Sequence, residues 1–289
     1  MDLKTRILIA MQKDSVYPSE DIYAPILVGA NLLNTNNLRG WRYGADNEGV
    51  NISSKNRFYC ELTAIYWAWK NLKDVDVIGL CHYRRYLDYH KQCRPYFSTT
   101  SFTEAELEKL NMSVDNKTLQ MVKSGSVVVP KAQKMPCTNQ HNYCEYHIGD
   151  DYKTLESIVE QTQNGAYKQA FVEVSNDNKL YPYNMFLMRW DDFDGYCSWL
   201  FPLLEEVEEK IDISHYTPYQ QRVYGFMAER LFNVWLRAER KNLIEKPVIF
   251  IEEGNVQNKI YGPRKLIKEM RKDICSKLIN ALYRHRLKI

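Results

Sequence analysis

Apolar residues fall in short blocks along the chain, and the blocks alternate between two periods. Arg6-Ile7-Leu8-Ile9-Ala10-Met11 is an almost continuous apolar run between polar residues, the pattern of a strand buried on both faces. The stretch 31–57, rich in Asn, Gly and Asp, reads as loop. Phe58, Leu62, Ile65 and Trp69 then recur at i, i+4, i+7 and i+11, which predicts a helix over 58–71 with Asn56 or Ser54 as its cap. Residues 76–80 read as a second strand, 126–129 as a third stopped by Pro130, and 183–188 as a fourth. Helical patterns cover 151–163, 193–210 despite Pro202, and 219–241. Strands alternating with helices predict an α/β fold around a largely parallel sheet.

Composition narrows the picture. Apolar residues make up 45% and charged residues 26% of 289, which excludes a disordered or fibrous chain. The 21 Tyr and 6 Trp suit a cleft that stacks sugars, though an aromatic core would have the same composition. Seven Cys, an odd number at irregular spacing, fit reduced thiols. The apolar run from Ile7 to Met11 is too short for a signal peptide, so a cytoplasmic location is expected. From Lys259 to Ile289 there are ten Lys and Arg against two acids, about +8, which leaves the first 258 residues near −5. Ile267, Met270, Ile274, Leu278 and Leu282 fall on one helical face there. The expected division is a catalytic domain, 1–258, and a basic amphipathic helix, 259–289. That helix would either lie on an anionic membrane, making the protein peripheral on the inner face of the plasma membrane, or dock on its own domain. The acidic remainder and the lack of a reader motif argue against a nucleic-acid partner.

The predicted strand 76–80 runs into Cys81-His82-Tyr83-Arg84-Arg85-Tyr86, placing polar side chains at the carboxyl edge of a sheet, where α/β proteins bind ligands. A guanidinium fork suits a diphosphate; the alternative is pairing with acids elsewhere in the fold. This segment, Tyr59-Cys60-Glu61-Leu62-Thr63-Ala64-Ile65-Tyr66-Trp67, Tyr23-Ala24-Pro25-Ile26-Leu27-Val28-Gly29-Ala30, Leu180-Tyr181-Pro182-Tyr183-Asn184-Met185-Phe186-Leu187-Met188, and the run from Tyr219 to Leu231 together resemble a known family. It is a bacterial capsule and exopolysaccharide glycosyltransferase family, formerly a domain of unknown function, that includes the galactofuranosyltransferase module of O-antigen polymerases. The resemblance covers about residues 6 to 240 in order.

It implies a GT-A-like single Rossmann-type nucleotide-sugar-binding domain with a helical C-terminal extension. It also implies a UDP-sugar donor, with galactofuranose as the first candidate transferred with inversion, and a lipid-linked or oligosaccharide acceptor. The expected donor-binding residues are Ala10, Glu61, His82, Tyr83, Arg84, Arg85, Asn184, Gln221 and Arg222, and the expected catalytic residues are Glu229 and, from a further family block of the form His-x-x-x-Asp, His147 and Asp151. Bland alternatives stay open: a helix-dipole role for Glu61, a structural amide for Asn184, and a structural ion pair for Arg222 and Glu229, which are seven apart.

The layout also resembles, more faintly, glycogenin-like transferases, in which an Asp-x-Asp holds manganese on the donor. Here Cys81-His82-Tyr83-Arg84 stands in that place, with no carboxylate pair. The expectation is therefore that no metal cofactor is needed and that Arg84 and Arg85 stabilise the departing diphosphate, with manganese or magnesium left open. Cys137, His141, Cys144 and His147 invite a zinc reading. Four ligands within eleven residues must wrap tightly, so the segment is read instead as an acceptor-side loop. A non-catalytic glycan-binding or scaffold protein of a polysaccharide assembly complex is the competing function.

Overall fold

The computed structural model describes residues 3–33 and 44–252; the basic helix expected over 259–289 lies outside the described residues. The first half runs β1 (Thr5–Met11), β2 (Tyr23–Leu27), β3 (Gly44–Ala45), α1 (Asn56–Tyr59), α2 (Leu62–Asn71), β4 (Val77–His82), β5 (Arg85–Leu87), β6 (Thr99–Thr103), α3 (Glu104–Leu107) and α4 (Asn116–Lys123). The second half runs β7 (Ser126–Pro130), β8 (Gln133–Lys134), α5 (Asn139–Tyr146), α6 (Gly149–Thr162), α7 (Gly165–Asn176), β9 (Lys179–Leu180), β10 (Phe186–Arg189), α8 (Trp190–Lys210), α9 (Val223–Ala238), β11 (Asn242–Lys246) and β12 (Val248–Glu252).

The fold is α/β, with a parallel-rich central sheet in the order β11-β7-β10-β4-β1-β2-β3. Along this path β10 alone runs antiparallel to its neighbours. β5 folds back from β4 and pairs β12, which in turn pairs β6. Period-two alternation sorts the strand residues into two apolar cores. Leu8, Ala10, Ile78, Leu80, Phe186 and Met188 pack with the layer that contains α2, α6, α8 and α9. Ile7, Ile9, Val77, Cys81 and Leu187 pack on the other face with β5, β12 and α4. Burial of both faces explains why the strands read as unbroken apolar runs. In β4 the backbone of β10 approaches so closely that a Cβ on Gly79 would lie 3.0 Å from the Phe186 carbonyl oxygen.

Parallel pairing brings the carboxyl ends of β1, β2 and β4 to one edge, at Met11, Leu27 and His82. Asp46, completely buried, ties that edge together. Its carboxylate accepts from the Gly29 and Ala30 main-chain N–H groups (2.7 and 3.1 Å), from the Ser53 hydroxyl, and from the Thr63 hydroxyl (2.6 Å). Four donors offset the cost of burying the charge.

Several sequence expectations change in detail. The helix expected over 58–71 is broken at Cys60, whose φ of 53° ends α1 before α2 begins. Glu61 is therefore the N-cap of α2, and neither Asn56 nor Ser54 caps a helix through its side chain. The strand expected over 183–188 loses Tyr183 and Asn184, both at positive φ, and forms only over Phe186–Arg189. Gln220–Arg222 is a 3-10 turn that leads into α9, so Arg222 caps that helix rather than sharing a face with Glu229. The segment read as an acceptor-side loop contains α5, capped by the Thr138 hydroxyl.

Candidate active site

At the carboxyl edge, β4 and β5 form a tight hairpin in which His82 pairs Arg85 and Tyr83 and Arg84 make the turn. Ala10 pairs His82 from β1, and its carbonyl accepts from the Tyr83 N–H (3.3 Å). The hairpin thus projects its polar residues beyond the sheet. The Arg85 guanidinium lies 5.0 Å from the Tyr183 ring centroid and 5.4 Å from that of Phe250. Arg84 shares the Phe250 ring, at 5.6 Å, and lies 5.1 Å from the Tyr83 centroid. Stacking on aromatic faces orients a guanidinium while leaving its N–H edges for an anion. Among the described residues no carboxylate forms an ion pair with Arg85.

Tyr183 links the hairpin to α9. Its carbonyl accepts from His82 Nε2 (2.8 Å), so that nitrogen carries the proton, and its N–H donates to Glu229 Oε1 (3.1 Å). The positive φ of Tyr183 (75°) lets both backbone groups point into the site. Next to it, the Asn184 amide donates to Glu61 Oε1 (2.8 Å), while its own Oδ1 is buried with no partner. Glu229 Oε2 pairs with Arg230 Nη1 at 3.2 Å. Desolvation raises the Glu229 pKa; Arg230 opposes the rise and Glu61 adds to it. Three non-glycine residues at positive φ, Cys60, Tyr183 and Asn184, meet here. Strain of this kind persists where surrounding structure over-determines it, and it clusters at functional sites.

Arg222 donates from Nε to Cys60 Sγ (3.2 Å) and stacks 5.3 Å from the Phe226 centroid. Burial pushes the Cys60 thiol up to about 11, so it is no nucleophile at neutral pH. Gln12, Asn56, Arg57, Cys60, Pro218, Gln221 and Arg222 line a cavity of about 490 Å³ beside these groups. A larger hollow, about 890 Å³, opens at the opposite end of the strands beside Lys4 and Asp76. There Trp69 is stacked on Phe201 and covered by Lys70.

The other expected residues lie around this centre. The His147 ring stacks on Phe226 (3.9 Å) and more distantly on Tyr219 (5.9 Å). Burial and the charge of Arg230 lower its pKa to about 4, so the imidazole is neutral at pH 7. Asp151 is buried in the first turn of α6 and accepts from the Tyr216 hydroxyl (2.7 Å). Its pKa is raised by burial. Gln221 lines the cavity and reaches the Ile213 carbonyl at 3.5 Å. Sequence reasoning missed Arg230, Phe226, Phe250 and the structural part played by Tyr183; none of them carries a spacing signal. Of the zinc-like array, His147 turns inward to Phe226, away from the exposed Cys144.

Comparison with known proteins agrees with this layout. The apo form of the bifunctional glycosyltransferase WbbM has a similar fold, with a TM-score of 0.78 and 28% sequence identity over 90% of this chain. The match takes in 48% of WbbM, so this chain spans about half the length of that protein. Among curated proteins, no sequence matches significantly. Residues 6–241 match the family model described as "Domain of unknown function (DUF4422)", and the chain belongs to that family.

Proposed function

We propose that this chain is a glycosyltransferase with a GT-A-like site, moving a sugar from a nucleoside diphosphate donor onto a capsule, exopolysaccharide or O-antigen acceptor. One observation carries the reading. The Arg85 guanidinium stacks on Tyr183, whose N–H donates to Glu229, beside the Asn184–Glu61 and Arg222–Cys60 contacts, and among the described residues neither guanidinium is in an ion pair with a carboxylate. The likeness to WbbM over 90% of the chain supports it. Breaking a glycosyl–phosphate bond leaves charge on the diphosphate, and prepositioned cations lower that barrier. Arg84 and Arg85 are assigned to the diphosphate, with Arg222 at the rim of the cavity.

No carboxylate pair follows β4, so the segment Cys81–Arg84 does not suit manganese or magnesium, which take oxygen ligands. The charge is supplied by guanidinium groups. In an inverting transfer the acceptor hydroxyl gives its proton to a base as its oxygen bonds the anomeric carbon. The electron pair of the breaking bond leaves with the diphosphate. We favour Glu229 over His147 and Asp151 as that base. The first of these alternatives is weakly basic, and the second is held by Tyr216 and only 4% exposed, whereas the Glu229 side chain keeps 25% of its surface open.

The donor proposed for first trial is uridine diphosphate galactofuranose, with a lipid-linked or oligosaccharide acceptor brought close by the basic segment 259–289 on an anionic membrane. Among the described residues, no helix is long and apolar enough to cross a membrane. The test is transfer and hydrolysis of a panel of nucleotide sugars by purified protein, with and without EDTA. Arg84→Ala and Arg85→Ala are each expected to lower turnover by about 100-fold or more with the circular dichroism spectrum unchanged. Normal turnover in both variants, or strict dependence on a divalent cation, would overturn the guanidinium assignment. Failure to bind any nucleoside diphosphate would favour the glycan-binding scaffold instead.

A further inference from the structure

Helix α5 carries different chemistry on its two faces. On the inner face Asn139 and Tyr143 are buried, and Asn142 accepts from Arg230 Nη2 at 3.1 Å. On the outer face His141 and Glu145 are exposed one turn apart, and Cys137 stands one turn earlier, just before the Thr138 cap. The Cys137 sulfur, a His141 ring nitrogen and a Glu145 carboxylate oxygen all lie within 4.8 Å of one another.

We propose that Cys137, His141 and Glu145 form a zinc site with water as the fourth ligand. Zinc bonds of about 2.0–2.3 Å hold tetrahedral ligand atoms roughly 3.3–3.8 Å apart. Rotation of two exposed side chains closes the remaining gap. A thiolate beside an imidazole selects zinc over magnesium, manganese or calcium, so this site does not replace a donor-diphosphate metal. The ligand set differs from the array suggested by Cys and His spacing: Glu145 joins it, His147 is held against Phe226, and Cys144 lies against Gly149 at the corner between α5 and α6. Binding releases the Cys137 thiol proton to solvent as sulfur bonds the metal, so affinity rises with pH. The bound metal clips the segment before α5 to the helix whose inner face holds Arg230. It does not enter the transfer reaction, so the proposal stands or falls apart from the proposed function.

The experiment uses the full chain after chelator treatment, titrated with zinc by calorimetry and with cobalt by absorption. One equivalent should bind, and cobalt should show a thiolate charge-transfer band. Cys137→Ser should abolish the band and weaken zinc binding by about 100-fold or more, with His141→Ala and Glu145→Ala also weakened. Cys144→Ser should leave both readouts unchanged, and circular dichroism should confirm that all four variants fold. Absence of stoichiometric binding, cobalt without the thiolate band, wild-type affinity in any of the three ligand variants, or loss in Cys144→Ser would overturn the site.

Discussion

Desolvation raises the Glu229 pKa above its ordinary 4.5, Arg230 pulls it down, and Glu61 pushes it up again. If Glu229 is the base, its ionised form must carry turnover, and the sign follows. As pH falls through the raised pKa the carboxylate takes up a proton, and kcat/KM should drop along an acid limb centred above 4.5. Glu229→Gln should lower kcat by roughly 100- to 10,000-fold with KM little changed, and the limb should vanish from the residual rate. A pH profile in which that variant keeps the same limb would move the base elsewhere. The resemblance singled out Glu229 and Arg222 as candidates. Arg230 stands in the same block, but its pairing had no signal: neighbours on a helix point about 100° apart, so periodicity gives no reason to expect the 3.2 Å pair it makes with Glu229. Asp46 was equally hidden. It is a single acid in a polar stretch, and only the fold shows four donors turned toward it.

The junction between α1 and α2 shows what helical periodicity misses. Phe58, Leu62, Ile65 and Trp69 keep their spacing across a break, because the apolar pattern records which face is buried and not the backbone angle at Cys60. No Gly or Asn marks the turn, so its φ of 53° has no sequence signal. The break brings Cys60 and Glu61 to the cleft, and α9 makes room for it with Gly225. A Cβ there would lie 3.0 Å from Cys60 Sγ and 3.2 Å from Cys60 Cβ. In an open helix Gly→Ala stabilises by about 1 kcal/mol, whereas overpacking costs about 1–3 kcal/mol. At this contact the overpacking should win. Gly225→Ala is expected to be destabilised by about 1 kcal/mol in denaturant melts, and adding Cys60→Ala should recover part of that loss by removing the sulfur. A single variant more stable than the parent would show that the two segments are less closely packed than this contact implies. The strand expected over 183–188 failed for a different reason: Asn184, a residue that tolerates positive φ, was read as extended, and with Tyr183 it turns toward Glu229 and Glu61.

At the scale of the whole molecule, alternating strands and helices made the α/β class and the parallel-rich sheet legible. The order β11-β7-β10-β4-β1-β2-β3 was not, since pairing between β10 and β4 joins segments a hundred residues apart and leaves no local pattern. That order is what assembles the site. The hairpin after β4, the turn before β10, the α1–α2 junction and the start of α9 meet only when the sheet is formed. A ligand that binds these separate segments together should therefore stabilise the folded chain as a unit. Uridine diphosphate at about 100 times its Kd would add about 2.7 kcal/mol. For a chain of this size that corresponds to a rise in Tm of roughly 4–5 °C. If guanidinium groups supply the charge, as proposed, the rise should survive EDTA, and it should shrink in Arg85→Ala, whose side chain stacks on Tyr183 and Phe250 without an ion-pair partner among the described residues. A shift abolished by EDTA would instead require a cation between protein and diphosphate. A shift of full size in the variant would place the nucleotide away from the carboxyl edge of β4.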